Sequence, residues 1–346
     1  LSRFPVDSAA AGTGYPAPNQ PLRRDPPRLA GWASGAPIVP AGVDLVAGSI
    51  RAALAMESTY LYVQGPPGAG KTYTGARMIL ALLEAGKRVG IMSNSHKAIH
   101  NLLAGVLDAA SESGISLHAV KKAAQGKPDT EFHEDPDGRV ENFYSNDDVF
   151  ASGAQLVAGT AWLFADAEAD QTLDVLFVDE AGQVALANLL AAGTCARNMV
   201  LLGDQMQLAQ PVQGMHPGRS GDSALDYLLV GAPTIAPDKG IFPGTTWRMH
   251  PRVCAFISEA VYDGRLEPEP SNQRRELVLP KRAHPLLRPA GIVYAPVDHE
   301  GCSQASQVEA DLIAAVYASA LGQQYTDRDG NVHRLSHENI LVMAPY

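Results

Sequence analysis

Eight residues constrain this chain more than any others. Gly65-Pro66-Pro67-Gly68-Ala69-Gly70-Lys71-Thr72 stands between an apolar run at 60–63 and a helical pattern at 72–85. A glycine-rich loop set between strand and helix turns backbone N–H groups inward around phosphate oxygens. Its lysine reaches the β- and γ-phosphates and its hydroxyl ligates Mg²⁺. Gly65, Pro66, Pro67, Gly68, Ala69, Gly70, Lys71 and Thr72 are therefore expected to cradle a nucleoside triphosphate, with Lys71 catalytic and Thr72 on the metal. The plainer alternative is a Gly/Pro turn with a surface lysine, and the flanking strand and helix argue against it.

Two further strand ends carry chemistry. The apolar run at 173–178 delivers Asp179-Glu180-Ala181-Gly182-Gln183, two adjacent carboxylates at the carboxyl end of a buried strand. Asp179 is expected there to hold Mg²⁺ through water, and Glu180 to orient and deprotonate the attacking water. Another run at 199–202 ends in Gly203-Asp204-Gln205-Met206-Gln207-Leu208, where Gln207 is expected to bond the γ-phosphate or the water.

Apolar strands alternate with amphipathic helices from 43 to 236, which implies an α/β, doubly wound parallel sheet of the RecA-like kind. Strands are expected at 60–63, 88–92, 155–158, 175–178 and 199–202, and helices at 72–85, 96–110, 184–192 and 223–229. Between 114 and 151 the apolar rhythm fails among acidic and turn residues, so this stretch is expected to leave the sheet and to be partly mobile. Residues 1–40 hold Pro5, Pro16, Pro18, Pro21, Pro26, Pro27, Pro37 and Pro40 and are expected to form a linker or extended arm. The first lobe then covers 41–236 and a partial second lobe 237–346, with helices at 251–262 and 304–321 and strands at 291–297 and 339–345.

Composition narrows the class. A formal charge of −10 excludes a uniformly basic coat for nucleic acid but leaves room for a local channel, which suits a motor that must release each phosphate contact. No stretch approaches the roughly 20 apolar residues of a membrane span, and residues 1–5 lack the blocks of a signal peptide, so the cytoplasm is expected and no membrane partner. Cys195, Cys254 and Cys302 are far apart and expected to be buried thiols rather than a disulfide framework or a zinc site.

In combination, the phosphate loop, Asp-Glu-x-x-Gln at 179–183, Gly-Asp-x-x-Gln-Leu at 203–208 and Trp247-Arg248-Met249-His250-Pro251 resemble the superfamily 1 helicases. Within these, the chain is similar to the branch containing the nonsense-mediated-decay and replication nuclease-helicases. More narrowly, it resembles bacterial helicases fused behind a RecB-like nuclease. The resemblance implies ATP and Mg²⁺ as cofactors, single-stranded DNA or RNA as track, and an incomplete second RecA-like lobe. It also implies an upstream RecB-like nuclease domain outside this chain. The site expected from it adds Gln183 and Trp247 at the nucleotide, with Trp247 stacking on the base, and Arg248 reaching the γ-phosphate with its planar fork. Ser95, His96 and Lys97, at a strand end entering a helix, and Thr160 of Gly159-Thr160-Ala161 are expected to grip a strand's backbone. For Trp247 and Arg248 the alternative is a core aromatic and a surface ion pair; for Thr160 it is an ordinary turn.

This sequence departs from the family at three places. The helix expected at 43–56 holds no adenine-reading Gln, and Gln64 is too close to the loop to replace it; His100 stands where Asp is usual, and Trp247 where Tyr is usual. Two further family motifs do not follow Met343-Ala344-Pro345-Tyr346, and residue 1 is Leu, so a fragment is expected. The competing functional classes are a non-motor P-loop enzyme, such as a kinase or remodeller, and an ATP-holding regulatory module that binds nucleic acid.

Overall fold

The computed structural model describes residues 14–207, 218–298, 300–302 and 305–344. They fall into two compact units, Leu1–Pro243 and Gly244–Tyr346. Leu208, at the end of the Gly-Asp motif, lies outside the described residues, as do residues 1–13 and 345–346.

The first unit is built on strands β1 (Tyr60–Gln64), β2 (Val89–Met92), β3 (Ala119–Lys122), β4 (Val140–Phe143), β5 (Leu156–Gly159), β6 (Leu173–Val178), β7 (Ala196–Gly203) and β8 (Gly240–Ile241). They form one eight-stranded sheet in the order β4-β3-β5-β2-β6-β7-β1-β8, and every pair in it is parallel. Parallel strands joined by crossover helices must bury both faces, so their two alternating sets of side chains feed two cores. Leu61 and Val63 of β1 join the core on one face, with Ile79, Leu83, Ile99 and Leu102. Tyr60 and Tyr62 join the other, with Leu189 and Leu225. Helices α3 (Lys71–Glu84) and α4 (His96–Ser113) supply the first face, and α7 (Leu186–Gly193) and α8 (Ala224–Leu229) the second. This is the RecA-like P-loop NTPase architecture expected from the alternating pattern.

The stretch 114–151 corrects an expectation: it does not leave the sheet but extends it, through β3 and β4. Its polar side chains bond the backbone instead of marking free loop. Asn142 Nδ2 donates to Phe132 O at 2.9 Å and its Oδ1 accepts from Phe132 N at 2.9 Å, while Asp135 accepts from Val140 N at 2.7 Å. The expected linker is also corrected over its described part. Helix α1 (Pro16–Arg23), started by a proline whose fixed φ suits the first turn, buries Ala17, Pro18, Asn19, Gln20 and Pro21. Tyr227 Oη donates to Leu22 O at 2.9 Å, and Ile38 N donates to Pro237 O at 2.8 Å, so the segment is stitched onto the sheet domain. Helix α2 (Leu45–Leu54) follows, capped by Asp44, which accepts from Ala47 N at 2.8 Å.

In the second unit the short parallel pair β9 (Thr245–Thr246) and β10 (Glu267–Pro268) packs with α9 (Pro251–Val261). Strands β11 (Leu277–Val278), β12 (Gln324–Thr326) and β13 (Val332–Arg334) make an antiparallel sheet, and α10 spans Gln307–Ala320. The strands expected at 291–297 and 339–345 are not strands over their described residues. Among the described residues they pair with no strand, and Val293 and Leu341 instead line a cavity of about 920 Å³ with Leu312, Ile313 and Val316. Cys195 and Cys254 are buried, but Cys302 is exposed, against expectation. Among the described residues no helix is long and apolar enough to cross a membrane.

Candidate nucleotide and nucleic-acid site

The phosphate loop continues the β1–β7 ladder by one step, Gly65 N donating to Gly203 O at 2.9 Å, and then turns into α3. Gly68 and Gly70 have φ of 77° and 79°, the left-handed region that residues with a Cβ avoid, and Gly70 caps α3. At Gly65 a Cβ would lie 2.1 Å from Lys71 Cγ, so only glycine lets the lysine stem fold over the loop. Lys71 Nζ donates to Gly65 O, a carbonyl that phosphate oxygens can replace as its partner. Thr72 stands half-buried in the first turn of α3.

Asp179 directly follows β6 and is buried; its N–H donates to Met92 O at 2.8 Å and its Oδ1 accepts from Glu180 N at 2.9 Å. Burial pushes its carboxyl up to about 6; the Glu180 charge adds to this, while the bond from Glu180 N and the Lys71 ammonium pull it back. Lys71 and Asp179 therefore feel each other across the loop. Glu180 sits at φ 52° and ψ 41°, a left-handed conformation that costs a non-glycine residue about 1–2 kcal/mol. Gln183 N closes the turn by donating to Glu180 O at 2.8 Å, and Asn94 Nδ2 supports it by donating to Gln183 O at 2.9 Å. The sheet order β6-β7-β1 sets the Gly203-Asp204 turn between the acidic turn and the phosphate loop. A Cβ on Gly182 would lie 2.4 Å from Asp204 O, and one on Gly203 would lie 3.0 Å from both Ala181 N and Gly182 N. The two turns thus meet backbone to backbone. Gln207 follows at the end of that turn, its N–H donating to Asp204 O at 3.4 Å.

Gln64 has a structural role that sequence reasoning missed. Fully buried, it donates through Nε2 to Gln205 Oε1 and Pro233 O, both at 2.8 Å, and accepts from Ile235 N at 2.5 Å. A satisfied buried amide of this kind rigidifies its surroundings, here the strand end that feeds the phosphate loop.

The expected track residues lie further along the same edge. β2 and β5 pair with Met92 opposite Gly159, so residues 93–95 and Thr160 leave the sheet side by side. Ser95 caps α4, accepting from Ala98 N at 3.3 Å, and Lys97 is exposed one residue into the first turn. Thr160 precedes the short helix α6 (Ala161–Phe164), and its hydroxyl makes no capping bond. His96 faces inward: its Nδ1 lies 3.0 Å from Lys121 Nζ, and burial, then the Lys121 charge, lower its pKa to about 4. Neutral and engaged, His96 offers a phosphate no charge. Lys121 itself is fully buried, donating to Lys122 O at 2.7 Å and Thr130 O at 3.1 Å, and burial lowers its pKa to about 8. Nothing in the sequence distinguishes it from the half-buried Lys122 beside it.

On the second unit, Thr246 is buried and its Oγ1 accepts from Arg248 N at 3.3 Å and Met249 N at 3.4 Å. That turn leaves Trp247 and Arg248 exposed, which removes the alternative of a core tryptophan.

The site and sheet define a P-loop NTPase, and comparison with known proteins agrees. A family model described as an AAA domain matches residues 47–217. The DNA replication ATP-dependent helicase/nuclease dna2 of Schizosaccharomyces pombe is 25% identical over 228 residues, which cover 64% of this chain and 16% of that protein. Its Gallus gallus counterpart is 25% identical over 212 residues, 60% of this chain and 21% of that protein. The chain thus spans 16% and 21% of the length of these two relatives. A looser likeness, TM-score 0.39 at 16% identity over 61% of this chain and 41% of the other, is to an arterivirus nonstructural protein 10 helicase solved with DNA. The sequence matches support a helicase-like P-loop NTPase.

Proposed function

We propose that this chain is the ATP-hydrolysing part of a nucleic-acid helicase or translocase that moves along a single strand of DNA or RNA. The observation that carries this is the packing of three motif turns on one sheet edge, with the Gly203-Asp204 turn wedged between the Lys71 loop and the Asp179-Glu180 turn. A kinase has no need of that middle turn, whereas a motor must report the state of the γ-phosphate to the rest of the fold.

In this assignment residues 65–72 hold the triphosphate, with Lys71 neutralising charge that develops on the transferred group. Glu180 takes a proton from the attacking water, Gln207 bonds that water or the γ-phosphate, and Gln183 lies at the nucleotide. Mg²⁺ supplies charge neutralisation to the phosphates when bound. The residues present fit it: Thr72 and the buried Asp179 provide a hydroxyl and a carboxylate, and Mg²⁺ takes its remaining ligands from phosphates and water. Trp247 and Arg248 are assigned to the base and the γ-phosphate. Ser95, Lys97 and Thr160 are assigned to the strand's phosphates, and a neighbouring nuclease domain, assigned as RecB-like from the resemblance, is in keeping with the helicase/nuclease names of the curated relatives. A cytoplasmic setting fits the same role.

The test is ATP turnover with and without single-stranded DNA or RNA. Stimulation is expected; equal rates at every strand concentration would overturn the motor assignment in favour of a non-motor P-loop enzyme. Glu180→Gln is expected to bind ATP and not cleave it.

A further inference from the structure

Trp162 is the most exposed large apolar side chain of the first unit among the described residues, at 86%. At that exposure both faces of the indole are open to solvent and free to take a flat, apolar partner. It is not displayed by a loose tip. The next two residues, Leu163 and Phe164, are 1% and 0% exposed and anchor α6 in the core, which turns Trp162 outward on a fixed element.

Its surroundings specify that partner. Trp162 lies two residues past Thr160, at the carboxyl end of β5, and the Met92–Gly159 register brings Ser95 and Lys97 to the neighbouring strand end. Lys122 lies close by: a Cβ on Gly159 would be 3.3 Å from Lys122 Cβ, and the Lys122 Nζ donates to Ala123 O at 3.0 Å. Hydroxyls and ammonium groups suit phosphates, and an exposed indole beside them offers the π-face on which a base stacks. Carboxyl edges of open parallel sheets are also where such folds bind ligands.

We infer that Trp162 is a base-stacking platform for single-stranded nucleic acid, holding one base of the strand whose backbone passes Thr160 and Ser95. The inference rests on the strand-binding assignment proposed above and adds a contact of a different kind. Phosphate contacts register the backbone, whereas stacking gives a grip that any base satisfies and that a step along the strand can break and remake.

The experiment compares an oligo-dT strand with an abasic strand of equal length, binding each to wild type, Trp162→Ala and Trp162→Phe at matched salt. Trp162→Ala should weaken oligo-dT binding about tenfold and leave abasic binding unchanged, and Trp162→Phe should restore most of the difference. Wild-type affinity of Trp162→Ala for oligo-dT would overturn the inference while leaving the strand-binding assignment intact. So would equal losses on both strands, which indicate a backbone or structural role. If wild type binds neither strand, nor an oligo-U strand of the same length, the strand-binding assignment itself fails. Because the side chain is exposed, the variant's urea midpoint should match wild type and keep these outcomes separable.

Discussion

The carboxyl edge of one sheet holds two regions built on opposite principles. Around β6, β7 and β1 the motif turns touch through backbone atoms, and glycines at 65, 182 and 203 stand where any Cβ would collide. Around β2 and β5 the functional groups are side chains that reach outward, Lys97 and Trp162 exposed and Thr160 uncapped. Hydrolysis needs groups held to a fraction of an ångström, whereas a translocating grip needs contacts weak enough to release. The difference in packing therefore separates the region suited to phosphate chemistry from the region suited to a moving strand.

The largest effects are expected in the close-packed region. Lys71→Ala should lower ATP turnover by at least about a hundredfold, since it removes the cation aimed at developing charge; a steady-state ATPase assay measures this. Gly182→Ala should also abolish turnover, and thermal unfolding should show destabilisation, because the new methyl meets Asp204 O at 2.4 Å and backbone must shift. Wild-type activity in Gly182→Ala would break the claim that the turns are locked together.

A smaller, pH-dependent effect is expected at Asp179, whose carboxyl is pushed up to about 6 by burial. The folded protein then holds a proton that the unfolded chain, with a pKa near 3.9, has released, so stability falls as pH rises from about 4 to 6 and is level above. Asp179→Asn should remove that slope and stabilise the Mg²⁺-free protein at pH 7 by roughly 1–3 kcal/mol, read from urea midpoints, while abolishing turnover. Since only the carboxylate binds the cation, Mg²⁺ affinity of the wild type should fall as pH drops below about 6.

The smallest effects belong to the open region. Ser95→Ala, Lys97→Ala and Thr160→Ala should each weaken single-strand binding a few-fold and equally for all base compositions, with the salt dependence reduced only in Lys97→Ala. His96→Ala should matter less still for the strand, because its ring is committed to Lys121.

The two regions also differed in how far the sequence revealed them. The strand before Gly65 and the helix after Lys71 are legible because a buried parallel strand is a continuous apolar run and the loop chemistry is confined to eight adjacent residues. The same holds for Asp179-Glu180 after β6. β3 and β4 escape notice because each is four residues long and carries Lys121 or Asn142, whose partners at Thr130 and Phe132 lie across a loop that no local pattern reveals. The backbone contacts of Gly182 and Gly203 depend on strand order, which the motifs alone do not state. Residues 291–297 fail in the opposite sense: an apolar run makes a strand only where a neighbour supplies hydrogen bonds. Trp162 carries no pattern, and only its exposure beside Thr160 gives it meaning.

The division of the edge is tested most directly by measuring, on the same preparations, the affinity of Lys71→Ala and Lys97→Ala for a fluorescent ATP analogue and for a labelled oligo-dT strand. A crossed result is expected: Lys71→Ala loses the nucleotide and keeps the strand, and Lys97→Ala keeps the nucleotide and binds the strand more weakly. If either variant loses both ligands in proportion, the two regions are one site and the account is wrong.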